Sequence, residues 1–222
     1  MHAFAGLGPV LYLNHQYSAL VTLIHVTELP RLLEKFNFHN VLVFPGFFGN
    51  FLRNFAERFP RTILSVVAMA CGINERLHIK PELMPVMGRH EPGGTSTQNL
   101  QKWMQTIERT QAQFLDFGSE EENMKHYNQT EPPLYPVENI KANMAGIPML
   151  LIRGENDYFV EERDFNKLVA LLPTERLDIK VVPDYAHLDY VWADDAKQFV
   201  FDDVVEHFER IVVERNLRKK KA

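Results

Sequence analysis

The last third of the chain alternates short apolar runs with segments of helical periodicity, and this pattern restricts the fold more than any other feature. Residues 148–152 (PMLLI), followed by Arg153-Gly154, are typical of a buried strand that ends in a turn. Residues 177–182 predict a second strand. Strands joined through helices are expected to lie parallel in one sheet with helices on its faces. We therefore predict an α/β fold.

Two helical segments follow these strands. Between Val160 and Leu172 apolar residues recur at helical spacing, acidic residues occupy the first turn, and Pro173 ends the run. The last segment, from residue 194 or 195 to about Leu217, predicts a long helix. Its predicted inner face carries Val200, Val204, Phe208, Ile211 and Val212.

Each predicted strand is followed by a polar loop. Asp157 lies in the first loop, at residues 154–157 (GEND), and His187 lies in the second, at residues 183–189. Because the carboxyl ends of parallel strands meet at one edge of a sheet, the two side chains are expected to lie close together. A carboxylate bonded to an imidazole fixes the tautomer of the ring and leaves the other nitrogen free to take a proton from a nucleophile.

The two loops also have an ordinary structural interpretation. A Gly-Glu-Asn-Asp segment is common turn chemistry, and a histidine after a strand is often a loop residue with no chemical role. The acid followed by the base, after successive strands, matches the chain order of α/β-hydrolases. It is the pair, rather than either residue alone, that predicts a catalytic site.

The chain opens on an almost wholly apolar stretch, residues 1–13 (MHAFAGLGPVLYL). A secretory signal peptide needs a basic start, and this stretch contains neither lysine nor arginine. We interpret residues 3–7 as a buried strand that ends at Gly8-Pro9. A chain that opens on an interior strand is expected to lack the beginning of its domain.

The segment between Tyr17 and about Ala70 predicts short amphipathic helices, because apolar residues recur at three- and four-residue spacing between prolines. Examples are Phe48, Phe51, Leu52 and Phe55. Two interpretations stay open: helix-on-helix packing, or a mobile cover over an apolar pocket.

A further helix is predicted after residue 95. Thr95 and Gln98 have the spacing of a capping box, and an apolar stripe follows them. The stripe consists of Leu100, Trp103, Met104 and Ile107. Residues 117–136, which contain Gly118 and three prolines, predict an extended connector.

Composition excludes several classes of function. A formal net charge of −5 argues against a basic surface for nucleic acid, and the single cysteine, Cys71, excludes an intrachain disulfide. No apolar run approaches the roughly 18–20 residues of a membrane span. No spacing resembles a zinc site, so His90 and His126 are expected to pack or to bond turns.

Ordered blocks along the chain, from its first residues to about Ile211, resemble the acid lipase family, which contains the gastric and lysosomal acid lipases. The blocks are residues 4–10 (FAGLGPV), 71–72 (CG), 90–96 (HEPGGTS), 117–119 (FGS), 126–127 (HY), 132–133 (PP), 154–157 (GEND) and 187–192 (HLDYVW).

The resemblance implies a partial α/β-hydrolase fold with a mostly parallel sheet. Residues 1–10 would form a core strand, residues 11–144 a large, mainly helical cap or lid over an acyl-chain pocket, and residues 145–222 the C-terminal part of the core. Asp157 would be the triad acid and His187 the triad base in the hydrolysis of triacylglycerol or sterol ester. No metal or organic cofactor is implied. The implied partner is a lipid ester or lipid surface, and relatives are secreted or lysosomal.

The chain departs from the family at the nucleophile. These lipases carry it in a Gly-x-Ser-x-Gly elbow, and none of the four serines here has the flanking glycines: Ser18, Ser65, Ser96 and Ser119. We therefore expect a truncated chain that is inactive alone and self-associates through its exposed core edge. The alternatives are a truncated gene model or isoform of a working lipase, a non-catalytic relative that binds lipid or a partner through its apolar cap, and a capped α/β-hydrolase with other chemistry.

Overall fold

The computed structural model describes residues 2–41, 51, 54–72, 79–87 and 93–221. Within these ranges, strands β1 (Phe4–Leu7), β4 (Met149–Gly154) and β5 (Leu177–Val182) form a parallel sheet in the order β1-β4-β5. Two short strands, β2 (Asn40–Val41) and β3 (Thr95–Ser96), pair antiparallel elsewhere. All three strands of the parallel sheet were predicted, and β5 has the predicted bounds.

Helices occupy most of the remaining described residues. Besides helical residues at 51 and 54–58, the α-helices are α1 (Ala19–Val26), α2 (Leu29–Lys35), α3 (Pro60–Cys71), α4 (Met84–Met87), α5 (Thr97–Glu108), α6 (Glu120–Tyr127), α7 (Ile140–Met144), α8 (Glu162–Val169), α9 (Asp189–Trp192) and α10 (Asp202–Lys221). Short 3₁₀ turns cover Pro81–Leu83 and Val137–Asn139, and a π-helical turn covers Lys197–Phe201. None of the described helices is long and apolar enough to cross a membrane.

Strand β4 is buried on both faces and divides the core into two clusters. Successive side chains of a strand point to opposite faces, so Met149 and Leu151 enter one cluster while Leu150 and Ile152 enter the other. The first cluster also contains Leu13, Val21, Met104, Phe159, Val160, Phe165 and Leu172. The second contains Val182, Tyr185, Tyr190, Ala193, Ala196 and Val200. Helices therefore cover both sheet faces, as an α/β fold requires.

Helix α5 packs the predicted apolar stripe against the first cluster, with Met104 fully buried and Leu100, Trp103 and Ile107 partly buried. Its start differs from the prediction. Ser96, not Thr95, caps the helix, and its Oγ accepts a hydrogen bond from Asn99 N at 3.0 Å. The helix begins later because residues 95–96 pair as β3 with β2.

The prediction of an extended connector over residues 117–136 is wrong for its middle, which forms α6. Ser119 Oγ accepts a hydrogen bond from Glu122 N at 3.2 Å, three glutamates occupy the first turn, and Lys125 lies in the last turn. These features satisfy the free backbone donors and match the helix dipole. Asn128 ends the helix in the left-handed conformation.

The last predicted helix, from residue 194 or 195 to about Leu217, forms the π-helical turn and α10, and its inner face differs from the prediction. Val200 and Ile211 are buried, whereas Phe208 and Val212 are 39% and 57% exposed. Each residue turns about 100° around a helix, so residue 212 lies far from the stripe that begins at Val200. His207, 4% exposed, occupies the inner position instead.

Several further predictions concern the helical segments. Helix α8 is shorter than predicted, since Glu161 caps it by accepting a hydrogen bond from Arg163 N at 2.7 Å. Helices α1, α2 and α3 agree with the predicted short helices between residues 17 and 70. The predicted positions Phe48, Leu52 and His90 lie outside the described residues.

Candidate active site

The two loops that follow β4 and β5 meet at one edge of the sheet. Glu155 N donates a hydrogen bond to Val182 O at 3.0 Å, and Asn156 N donates one to Tyr185 O at 2.9 Å. The approach is so close that a Cβ atom on Gly154 would lie 2.2 Å from Tyr185 O. Glycine at position 154 therefore allows the loops to join.

The structure brings the two predicted site residues together. His187 Nδ1 lies 2.9 Å from Asp157 Oδ2. The Asp157 side chain is completely buried, whereas 26% of the His187 side chain remains exposed. The carboxylate therefore faces the imidazole from inside the protein.

Hydrogen bonds hold both oxygens of the buried Asp157 carboxylate. Oδ1 accepts hydrogen bonds from Phe159 N at 2.9 Å and Val160 N at 3.0 Å, and Oδ2 accepts a second bond from the Tyr190 hydroxyl at 2.8 Å. A buried carboxylate is costly unless donors compensate its charge. These four donors provide that compensation and prevent the carboxylate from rotating.

His187 is held through its backbone and by two aromatic rings. The backbone N of His187 donates a hydrogen bond to Cys71 O at 3.1 Å. The rings of Phe159 and Tyr190 pack against the imidazole edge-to-face, at centroid distances of 4.8 Å and 6.1 Å. Since Nδ1 is bonded to Asp157, the ring nitrogen that remains for chemistry is Nε2.

Tyr190 is a site residue that the sequence interpretation missed. Its hydroxyl accepts a hydrogen bond from Gly154 N at 2.6 Å and donates to Asp157 Oδ2. Burial, followed by the neighbouring Asp157 carboxylate, raises the pKa of the Tyr190 hydroxyl far above its ordinary value. The hydroxyl therefore stays protonated. One signal was available: Tyr190 follows His187 by three residues, the spacing of neighbours on a helical turn.

Two glycines with positive φ also adjoin the site. Gly8, at φ +53°, lies at the carboxyl end of β1, and a Cβ there would be 3.3 Å from both Asp157 Oδ2 and His187 Cε1. Gly72 has φ +125°, and a Cβ there would lie 2.1 Å from Asn156 O. Both positions belong to blocks that carried the family resemblance.

The Cys71 thiol stays protonated, and the four serine hydroxyls bond helix backbone. Burial, with smaller effects of Asp157 and Asp189, raises the pKa of the Cys71 thiol to about 12, so it is not a thiolate at neutral pH. All four serine hydroxyls bond helix backbone. Ser18, Ser96 and Ser119 accept N-cap hydrogen bonds, and Ser65 Oγ donates to Arg61 O at 3.0 Å.

A cavity of about 590 Å³ lies between α3 and the loop that carries His187. Ala186 and Leu188, on either side of His187, both line it, and Asp189 and Arg61 add polar groups. The apolar lining includes Leu64, Val67, Ala68, Ile79 and Pro81. An apolar cavity with a few polar groups suits a hydrophobic ligand.

The described ranges contain no cluster of three or more histidine, cysteine, aspartate or glutamate side chains that could hold a metal ion. The predicted packing role of His126 agrees with the structure. Its ring stacks on Phe117, with a centroid distance of 3.7 Å and an interplanar angle of 10°.

Comparison with models of protein families finds no match. Among curated proteins, human gastric triacylglycerol lipase is 32% identical over 208 residues, which cover 91% of this chain and 50% of that protein. A putative lysosomal acid lipase/cholesteryl ester hydrolase of Crotalus adamanteus is 29% identical over 94% of this chain and 50% of its own length. The rat lysosomal acid lipase/cholesteryl ester hydrolase is 33% identical over 64% of this chain. The chain thus spans about half the length of the first two relatives.

A solved structure has a similar fold. The soluble variant of monoglyceride lipase from Saccharomyces cerevisiae, in complex with a substrate analog, superposes with a TM-score of 0.51 over 93% of this chain and 55% of that one. The two sequences are 14% identical, so the likeness concerns the fold alone. The chain has a partial α/β-hydrolase fold.

Proposed function

The chain belongs with the gastric and lysosomal acid lipases, and we propose that it carries the acid and the base of a lipid-ester hydrolase. The observation that supports this assignment most is the 2.9 Å hydrogen bond between Asp157 and His187, at the carboxyl edge of a parallel sheet. In this proposal Asp157 orients the ring, and His187 transfers the proton.

The chemistry follows from the free ring nitrogen. Nε2 of His187 takes the proton of a serine hydroxyl as the serine attacks the ester carbonyl, and the imidazolium then returns that proton to the departing alcohol. Water enters in the second half of the reaction and is activated by the same nitrogen. Asp157 stabilises the imidazolium through Nδ1 and remains ionised throughout.

The chain alone is predicted to be inactive. Its four serines lack the Gly-x-Ser-x-Gly elbow, and their hydroxyls bond helix backbone. A dyad without a nucleophile and oxyanion donors has nothing to activate. We therefore assign the acid and base, and no nucleophile, to these 222 residues.

For the substrate we propose an ester of a long-chain acid, triacylglycerol or sterol ester, as in the names of the similar proteins. The apolar cavity beside His187 supports this assignment, because Leu64, Val67 and Leu188 offer an acyl chain an apolar wall. We assign residues 11–144 to the cap and residues 1–10 and 145–222 to the core. Two observations support this division. Strands β1 and β4 pair in one sheet, and the segment between them in the sequence is mainly helical.

The same cavity favours one alternative, a relative that binds lipid without cleaving it. A single design separates the two functions. The chain is joined to the half of human gastric triacylglycerol lipase that it does not match, and hydrolysis of a triacylglycerol emulsion is measured. The hydrolase proposal expects turnover that His187→Ala lowers by about a thousandfold or more. His126→Ala, which removes a stacked ring in α6, is the control and is expected to keep the rate.

Turnover that is the same with and without His187 would contradict the assignment of the base. Binding of a fluorescent fatty-acid probe by the fused protein, with no hydrolysis of the emulsion, would favour the lipid-binding alternative.

A further inference from the structure

We propose that Tyr190 is a positioning residue that lowers the proton affinity of His187 by sharing the Oδ2 oxygen of Asp157. The catalytic role of Tyr190 rests on the proposed function, whereas the two hydrogen bonds to Asp157 Oδ2 do not depend on it. Tyr190 would act through the carboxylate and would touch no substrate.

The direction of each hydrogen bond follows from the two partners of the Tyr190 hydroxyl. Gly154 N, 2.6 Å away, can only donate, so the hydroxyl oxygen accepts there. The single hydroxyl proton is then left for Asp157 Oδ2, at 2.8 Å. The hydrogen bond from Gly154, the last residue of β4, therefore orients the hydroxyl proton of Tyr190 toward the Asp157 carboxylate.

Oδ2 serves two donors. His187 Nδ1 lies 2.9 Å away and the Tyr190 hydroxyl 2.8 Å away, so both draw on the same negative charge. A hydrogen bond to an ionised carboxylate stabilises that charge. The carboxylate therefore stabilises the positive charge of the imidazolium less strongly, and His187 releases its proton more readily. The competition cannot be relieved by rotation, because Phe159 N and Val160 N hold Oδ1.

The Tyr190 ring has little freedom to leave this position. It is 3% exposed and packs edge-to-face against Tyr185, at a centroid distance of 6.4 Å. On another side, a Cβ on Gly8 would be 2.8 Å from Tyr190 Cε2. Among the described residues, Cys71, Asp189 and Arg153 are further titratable or charged groups near Asp157 and Tyr190, and all three are kept when only the hydroxyl of residue 190 is removed.

The test is an NMR titration of the His187 ring nitrogens in the 222-residue chain. Tyr190→Phe removes the hydroxyl and keeps the ring, and is expected to raise the pKa of His187 by about half a unit to one unit. Tyr185→Phe is the matched control. It also deletes a buried tyrosine hydroxyl, one that donates to Asp195 Oδ1 at 2.6 Å and not to the dyad, and is expected to leave the pKa of His187 unchanged.

Asp157→Asn separates the possible failures. It is expected to lower the pKa of His187, because the charge that favours the imidazolium is lost. If Asp157→Asn lowers this pKa while Tyr190→Phe behaves like Tyr185→Phe, the role of Tyr190 is overturned and the dyad stands. If Asp157→Asn leaves the pKa unchanged, the dyad is refuted, and the Tyr190 inference with it.

If Tyr190→Phe does not fold, an NMR measurement on the wild-type chain tests the shared-oxygen geometry instead. The Tyr190 hydroxyl proton and the His187 Nδ1 proton both point at Oδ2, so they are expected to show a strong mutual nuclear Overhauser effect. The absence of that cross-peak, under conditions in which both proton resonances are observed, would overturn the shared-oxygen geometry.

Discussion

Gly8 and Tyr190 are in such close contact that a Cβ atom on residue 8 would lie 2.8 Å from Tyr190 Cε2. Gly8 directly follows β1 with φ +53°, and Tyr190 lies on α9 and bonds the dyad carboxylate. The contact connects the first strand of the chain to the candidate site, although the two residues are far apart in sequence.

We expect Gly8→Ala to lower the free energy of unfolding by about 2–4 kcal/mol, through backbone strain plus the clash with the Tyr190 ring. Gly146→Ala is the matched control, since Gly146 has φ +73° and no atom within 4 Å of the added Cβ. It should cost only the strain, about 1–2 kcal/mol. Urea unfolding measures both values, and equal losses would contradict the close contact at Gly8.

We expect Cys71 to react slowly with thiol reagents while the protein is folded. A pKa raised from 9.0 to about 12 lowers the thiolate fraction at pH 8 by about a thousandfold. The pH dependence of the free energy of unfolding follows from this shift, because the folded state favours the neutral thiol. Stability from this group is therefore complete below pH 9 and declines as the pH rises toward 12. Labelling with a chromogenic disulfide measures the rate, and equal rates in the folded and urea-unfolded chains would contradict the prediction.

A second carboxylate–imidazole pair is predicted to stabilise the fold. Asp164, whose side chain is 2% exposed, accepts hydrogen bonds from His15 N at 2.8 Å and from His15 Nδ1 at 2.9 Å, so it ties the segment after β1 to α8. We expect Asp164→Asn to cost about 1–3 kcal/mol, because an amide NH2 replaces one acceptor oxygen of this buried side chain and one of its two hydrogen bonds from His15 is lost.

Asp178→Asn is the control for that measurement. Asp178 is half-exposed and pairs with Arg210 at 2.6 Å, and an exposed pair contributes about 0–1 kcal/mol. Thermal and urea unfolding give the two costs. A larger loss for Asp178→Asn than for Asp164→Asn would contradict the role given to burial.

Self-association remains a prediction. Strand β1, whose open edge motivated the prediction, and strand β5 form the two edges of the described parallel sheet, and Ile179 and Val181 on β5 are each 46% exposed. An exposed apolar edge strand favours pairing between chains. Analytical ultracentrifugation is expected to detect oligomers that the double change Ile179→Lys and Val181→Lys reduces. The same change at Val212 and Val213, exposed on α10, is the control. A chain that sediments as a monomer at all concentrations would contradict this prediction.

The sequence predicted the parts of the fold that periodicity controls. Strand β5 has the predicted bounds, and Met104 lies in the core on the predicted stripe, because long apolar patterns leave few alternatives. Helix α6 was missed because its residues are polar. Its caps and charges stabilise it locally, while the neighbouring prolines indicated a loop.

The candidate site was predictable to the extent that topology controls it. Loops after neighbouring parallel strands must meet, so Asp157 and His187 could be paired from their positions alone. For Tyr190 the three-residue spacing from His187 was the available signal, but its contacts and those of Gly8 depend on how α9 and the end of β1 approach the carboxylate in three dimensions.

The most direct measurement of the central claim is a double-mutant cycle on the fused protein described above. Triacylglycerol hydrolysis is compared for Asp157→Asn, His187→Ala and the two together. If Asp157 acts only through His187, the double variant loses about as much activity as His187→Ala alone. Losses that multiply would mean that the two residues act independently, and would contradict the assignment of Asp157 and His187 as one acid–base unit.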